Sequence, residues 1–314
     1  MFLPFQLKFH ELIFMPKVIV GLGEILWDML PAGKQLGGAP ANFAYHAKAL
    51  GRDNIVSHII SAIGNDPLGT EIQNRLDRLS INQTCLHISN TLKTGFVSVS
   101  LDKQGLATYT IEQNVAWDYI PVITNNLQHT IDAICFGSLA QRSPVSGKNI
   151  QNFLATLPAT TLKIFDVNLR QSFFSLETIE SSLALANIFK INDDELKIIG
   201  KLLDIPGNEE QQLKTISQRY NIKLSILTRG NSGSLLYSKD NISVHPGYKI
   251  KSKDTIGAGD AFTAAVVIGL LKGFELNTIN DYANQIASYV CTKSGATPAL
   301  AEELINLFNI KAAS

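Results

Sequence analysis

The sequence predicts an α/β fold, with a central, mostly parallel β-sheet, helices on both of its faces and a small β-hairpin lid. Three observations predict it. Short β-branched apolar runs recur along the chain, stretches with helical periodicity lie between most of them, and one strictly alternating segment breaks that rhythm. Composition agrees: of 314 residues, 45% are hydrophobic and 17% charged, which fits a globule with a substantial core and excludes a disordered chain.

Residues 1–14 are apolar but contain Pro4 and Glu11. They lack a basic front and a small-residue cleavage site, so they read as an N-terminal extension, with Met15 a natural start. A single domain is expected over 15–314, since no internal repeat or Pro- or Ser-rich linker divides it. Residues 17–22 form the first buried strand, apolar on both faces as parallel strands are. Similar runs follow at 55–63, 133–136, 162–167, 188–191 and 224–228. Helical periodicity marks 39–50, 68–79, 146–157 and 209–220. Between 94 and 111 the pattern alternates: Val97, Val99 and Leu101 share one face, Ser98, Ser100 and Asp102 the other, and the chain turns at 102–105 to return through Tyr109 and Ile111. That is a hairpin. An isolated hairpin is marginal in water, so it should pair with the segment around 26–35, giving lid segments near 26–36 and 93–113. An antiparallel edge on the main sheet fits the same periodicity.

Charge and composition exclude several classes of function. Lys plus Arg and Asp plus Glu each number 27, so no net field attracts nucleic acid or an anionic membrane. The longest strongly apolar stretch, 261–271, is shorter than the roughly 18 residues a membrane span needs. Cys85, Cys135 and Cys291 form no Cys-x-x-Cys pair, and the six histidines show no metal-ligand spacing; a reducing cytoplasm is the simplest home.

The chemistry concentrates at Asp254-Thr255-Ile256-Gly257-Ala258-Gly259-Asp260. This run leads into 263–271, apolar nearly all round and hence a helix buried inside the molecule, with Lys272 and Gly273 as its stop. Small residues before a buried helix permit close backbone approach, and the unpaired amides there, with the positive end of the helix dipole, attract an anion such as phosphate. Asp260 has two readings: an N-cap, or a carboxylate that takes a proton from an attacking hydroxyl. Gly21-Leu22-Gly23 lacks the third glycine of a dinucleotide fingerprint, and no Gly-x₄-Gly-Lys-Ser/Thr loop occurs, so phosphate must be held by the later glycine run.

These residues resemble the C-terminal signature of the ribokinase (PfkB) family of carbohydrate kinases. Gly37-Gly38-Ala39-Pro40-Ala41-Asn42-Phe43-Ala44 resembles the family's Gly-Gly segment. Gly23-Glu24-Ile25-Leu26-Trp27-Asp28, Asp166-Val167-Asn168-Leu169-Arg170 and Ala116-Trp117-Asp118 look most like its fructokinase branch, Asn192-Asp193-Asp194-Glu195 matches an Asn-x-x-Glu motif, and Thr228-Arg229-Gly230 sits where the family has its Thr-x-Gly nucleotide segment. The likeness runs from about 17 to 300, in order.

The resemblance implies a ribokinase-like fold and ATP-dependent phosphoryl transfer to a sugar hydroxyl, D-fructose first, with 2-keto-3-deoxygluconate, ribose or a nucleoside as alternatives. A sensor that had lost turnover should show a damaged Gly-Ala-Gly-Asp or lack Glu195, and both are intact. Asp260 would be the base, with the Gly257, Ala258 and Gly259 amides and Arg170 stabilising the transferring phosphoryl group. Asp28, Gly37, Gly38 and Asn42 would contact the sugar, with Phe96, Tyr109 and Gln113 from the lid. Asn192, Thr228, Gly230 and Gly233 would border ATP, and Glu195 would hold Mg²⁺ through water, although Asn192 with Glu195 also reads as a capping pair. Asp254 would help bind a monovalent cation, K⁺, near Gly295; turn hydrogen bonds explain it equally. Sugar and ATP are the expected partners, and a homodimer could form through the lid.

Overall fold

The structure, a computed structural model, describes residues 15–30, 33–101, 107–124 and 126–309. The extension 1–14 and the hairpin turn at 102–105 lie outside the described residues. In chain order the elements are β1 (Lys17–Leu22), β2 (Leu26–Leu30), β3 (Gly33–Gly37), α1 (Ala39–Gly51), β4 (Ile55–Gly64), α2 (Pro67–Arg78), β5 (Leu86–Ser89), β6 (Phe96–Leu101), β7 (Ala107–Ile111), β8 (Ile131–Phe136), α3 (Pro144–Thr156), β9 (Leu162–Asp166), α4 (Leu176–Leu185), β10 (Ile188–Asn192), α5 (Asp193–Leu202), α6 (Glu209–Tyr220), β11 (Leu224–Thr228), β12 (Ser234–Ser238), β13 (Ile242–His245), α7 (Ala258–Leu271), α8 (Leu276–Cys291) and α9 (Glu302–Asn306).

Among the described residues the strands form two sheets. The larger has nine strands in the order β13-β12-β11-β10-β9-β8-β1-β4-β5; β11 through β5 run parallel, and β12 and β13 close one end antiparallel. Alternate residues along each central strand enter opposite layers. Val20, Phe165 and Phe189 pack with α3 to α6, whereas Ile19, Ile164 and Ile188 pack with α1, α7 and α8. Both faces are therefore buried, which is why the strand sequences read as continuous apolar runs.

The smaller sheet has four strands in the order β3-β2-β6-β7. Its β2 pairs with β3 antiparallel and with β6 parallel, and β6 pairs with β7 antiparallel. The alternating segment thus finds its partner in 26–35 and is not an edge of the main sheet. Both excursions rise beside the carboxyl end of β1, where an open parallel sheet leaves a crevice.

Helix α7 begins at Ala258, earlier than the apolar run starting at 263 suggests, and it is buried from Ala261 through Gly269. Gly257 caps it in the left-handed conformation, φ 79°. A side chain there would run into the carbonyl of Ala296. Asp260 consequently stands inside the first turn, and its N-cap reading is corrected by this geometry.

Candidate active site

The carboxyl ends of β1, β9, β10 and β11 deliver Glu24, Asp166, Lys190, Asn192 and Thr228 to one edge of the main sheet. Facing them, the start of α7 and the inner face of the small sheet complete a cavity of about 650 Å³. Asp260 lies in its wall, together with Asp28, Gly38, Asn42, Thr228, Gly230 and Gly233.

Asn42 Nδ2 donates to Asp260 Oδ2 at 2.9 Å, which aims the carboxylate and favours its ionised form. Burial, then repulsion from Asp166, nevertheless push Asp260 up to about 6; Asn42, Lys190 and Arg170 oppose the rise. A carboxyl group with that affinity for protons is matched to accepting one near neutrality. Helix geometry leaves the first amides of α7 without intrahelical acceptors. The Ala258 amide donates to Thr255 O at 3.3 Å, so the strongest anion donors are the amides of Gly259 and Asp260, with Gly257 shaping the turn.

Glu24 is buried, and burial drives its carboxyl up to about 7. Its Oε2 has no hydrogen-bond partner among the described residues. Behind Gly259 the Lys190 ammonium donates to Asp166 Oδ1 at 3.0 Å, both side chains being buried. Although burial alone would lower the Lys190 pKa, the surrounding Asp166, Glu195 and Asp260 raise it, so the lysine stays charged. Sequence reading assigned no role to Lys190, Asp166 or Glu24. The signal was present for one of them: a lysine inside a buried strand requires an acidic partner.

Beside the small sheet, Asp28 and Gly38 line the cavity. Asp28 is raised by burial and relieved by Arg170. Gly38 adopts φ 105° and any side chain on it would strike the Glu24 carbonyl. Gly37 lies outside the lining but lets the Asp28 carboxylate approach β3. Two expected lid contacts lie elsewhere. The pleat turns Phe96 into the cluster of Trp27 and Leu36, and Tyr109, one step nearer the hairpin turn, is 55% exposed. Val97 and its cross-strand partner Ile111 face the cavity instead. Gln113 is exposed.

At the end of β10, Asn192, Asp193 and Asp194 line the cavity at the start of α5. The predicted capping pair is present: Glu195 N donates to Asn192 Oδ1 at 2.8 Å and Asn192 N to Glu195 Oε2 at 3.0 Å. The other Glu195 oxygen accepts from Leu169 N at 2.8 Å, tying the Arg170 loop to α5. Among the described residues no cluster of three His, Cys, Asp or Glu could enclose a metal. Oxygen donors at Asn192, Asp193 and Asp194 nonetheless suit a hard cation that keeps its water and binds chiefly to phosphates. Arg170 is exposed at the rim. Asp254 Oδ1 accepts from Ile256 N and Oδ2 from Gly295 N, each at 3.0 Å. This is a turn that also joins the two segments expected around a monovalent cation.

Residues 32–303 match the model of the pfkB family of carbohydrate kinases. The fructokinase of Escherichia coli is 27% identical over 305 residues, covering 89% of this chain and 94% of that protein. A sugar kinase from Pyrococcus horikoshii solved in complex with ATP superposes with a TM-score of 0.75 at 26% identity, covering 89% of this chain and 94% of that one. A fructokinase from Vibrio cholerae, solved with fructose, ADP and calcium, has a TM-score of 0.78 at 22% identity over 93% and 98% of the two chains. No helix among the described residues is long and apolar enough to cross a membrane.

Proposed function

The chain belongs to the pfkB family of carbohydrate kinases, phosphotransferases with an alcohol acceptor, and from that premise we propose that it transfers the γ-phosphoryl group of ATP to D-fructose, giving fructose 6-phosphate. One observation carries the reading: a carboxylate, Asp260, stands at the amino end of a buried helix, between a sugar-sized recess and a phosphate-facing wall. The choice of fructose is supported by the Escherichia coli relative and by the Gly23-Glu24-x-x-x-Asp28 opening.

In this reading Asp28, Asn42 and the bare backbone at Gly38 hold the sugar hydroxyls. As the acceptor oxygen attacks the γ-phosphorus, Asp260 takes its proton and the bond to the β-phosphate oxygen breaks, releasing ADP. Charge gathering on the transferring group is met by the Gly259 and Asp260 amides, the α7 dipole and Arg170 from the rim. Asn192, Asp193 and Asp194 would hold, through water, the magnesium that arrives with ATP, with Glu195 beneath them fixing the Asn192 and Leu169 amides. Thr228, Gly230 and Gly233 border the nucleotide. A potassium ion beside Asp254 and Gly295 would stiffen the turn that carries Gly257. The small sheet acts as a lid that excludes water during transfer, the lid also meets its twin in a second copy, and the enzyme works in the cytoplasm, where its thiols stay reduced.

The test is ATP consumption with fructose, ribose, adenosine, 2-keto-3-deoxygluconate and fructose 6-phosphate as acceptors. Fructose should give the highest kcat/KM. A different best acceptor overturns the choice of sugar; background rates with all of them overturn the kinase reading. Solution mass measurement tests the dimer.

A further inference from the structure

We propose that the cleft between β3, α2 and the 294–297 turn is a second ligand site, built for a small molecule carrying a phosphate group. It is a separate cavity of about 440 Å³ that shares no lining residue with the catalytic one. The strand β2 divides them. Successive side chains of a strand point to opposite faces, so Leu26 and Asp28 face the catalytic cavity while Trp27 faces the cleft.

The charge of the cleft comes from one face of α2. Glu71, Asn74, Arg75 and Arg78 follow the i, i+3, i+4, i+7 spacing of a helical stripe and all line the cleft, whereas Ile72 and Leu76 are buried on the other side. Glu71 is taken by an ion pair with Lys34 of β3. Arg75 and Arg78 have no acidic partner among the described residues. Their guanidinium groups, three residues apart on the same helix face, are planar donor forks of the kind that bind phosphate oxygens in pairs. The Lys34 ammonium lies 5.2 Å from the centroid of the Trp27 ring, which is only 4% exposed and forms an aromatic wall. Hydroxyls of Ser294 and Thr297 complete the polar lining.

An occupant here touches both halves of the catalytic apparatus. Lys34 and Gln35 belong to the small sheet, whose opposite face lines the catalytic cavity, and the Gln35 side chain lies over Gly295. The adjoining Ala296 backbone packs against Gly257, the cap of α7, and its carbonyl accepts from His46 Nε2 at 2.9 Å. Burial holds that imidazole at about 4, so the ring is neutral and donates through Nε2. A bound phosphate group would therefore fasten β3 to the turn that supports the phosphate cradle.

Trp27 provides the readout. The full chain is first saturated with fructose and a non-hydrolysable ATP analogue, so that its catalytic cavity is filled. Inorganic phosphate and fructose 6-phosphate are then titrated separately, at constant ionic strength, while tryptophan emission is followed. A saturable change that vanishes in Trp27→Phe is expected. The Arg75→Gln/Arg78→Gln double variant, which leaves basal turnover and melting temperature unchanged, should raise the half-saturating concentration roughly tenfold or more. Tighter binding of the sugar phosphate would assign the site to phosphorylated sugars, and equal binding would assign it to free phosphate. A response that Trp27→Phe leaves intact, a titration unaltered in the double variant, or a flat signal at millimolar ligand overturns the proposal. Because binding rather than turnover is measured, the result stands apart from that of the acceptor panel.

Discussion

Asn42 Nδ2 and Asp260 Oδ2 meet at 2.9 Å across 218 positions of sequence. That bond joins α1 to the first turn of α7. In the proposed function, the amide that orients the acceptor hydroxyl is therefore the same group that aims the base.

Replacing Asp260 with Asn keeps the shape and removes the proton acceptor. We expect kcat to fall by about 10²–10⁴ while the KM for sugar changes little, because the side chain acts on a proton that moves only in the transition state. Steady-state kinetics with both substrates varied provide the check; a rise in KM as large as the fall in kcat would place Asp260 in ground-state binding.

In the proposed function Asp260 must be ionised to take the proton, and burial pushes its carboxyl up to about 6. The kcat/KM profile should therefore be level above neutrality and fall on the acid side through about pH 6, rather than near the ordinary carboxylate range around 4. An acid limb centred near 4 would mean that burial and Asp166 do not raise this group.

Glu24 makes a prediction about stability. Its folded pKa of about 7 lies above its ordinary 4.5, so the folded state binds the proton more tightly. The resulting stabilisation is present below about pH 4.5 and is lost as pH rises through 7. Glu24→Gln should gain on the unmodified chain by about 3 kcal/mol between those limits, measured by urea unfolding at several pH values. A constant difference across the range would count against a carboxyl raised by burial.

Lys190 and Asp166 are a buried pair at 3.0 Å. Removing one partner strands a charge, so Lys190→Met should cost roughly 3–5 kcal/mol and move the acid limb upward, since the ammonium favours ionised Asp260. The double variant Asp166→Asn/Lys190→Met should recover much of the stability. If the two single losses simply add, the pair is not coupled in this way.

Much of the scaffold was legible in the residues. Strand 224–228 and helix 209–220 coincide with β11 and α6, because buried strands and amphipathic helices leave unmistakable periods. Pairing of the hairpin with 26–35 followed from the instability of a hairpin alone. What local pattern could not supply was distance. The Gly257 cap is set by the Ala296 carbonyl and the Lys190 charge by Asp166. Phe96 and Val97 look interchangeable until the pleat assigns each a face. Asn192 and Glu195 satisfied both the capping and the metal reading, and the capping bonds are formed.

The packing of Phe43, Ala47 and Leu50 of α1 against α7 bears on how the chain is made. A ribosome releases the first of these helices long before the second exists, so the nascent protein carries an uncovered greasy stripe for more than half of its synthesis. Chaperone engagement of incomplete chains is the natural outcome, and a fragment ending before residue 258 would be both sticky and inert.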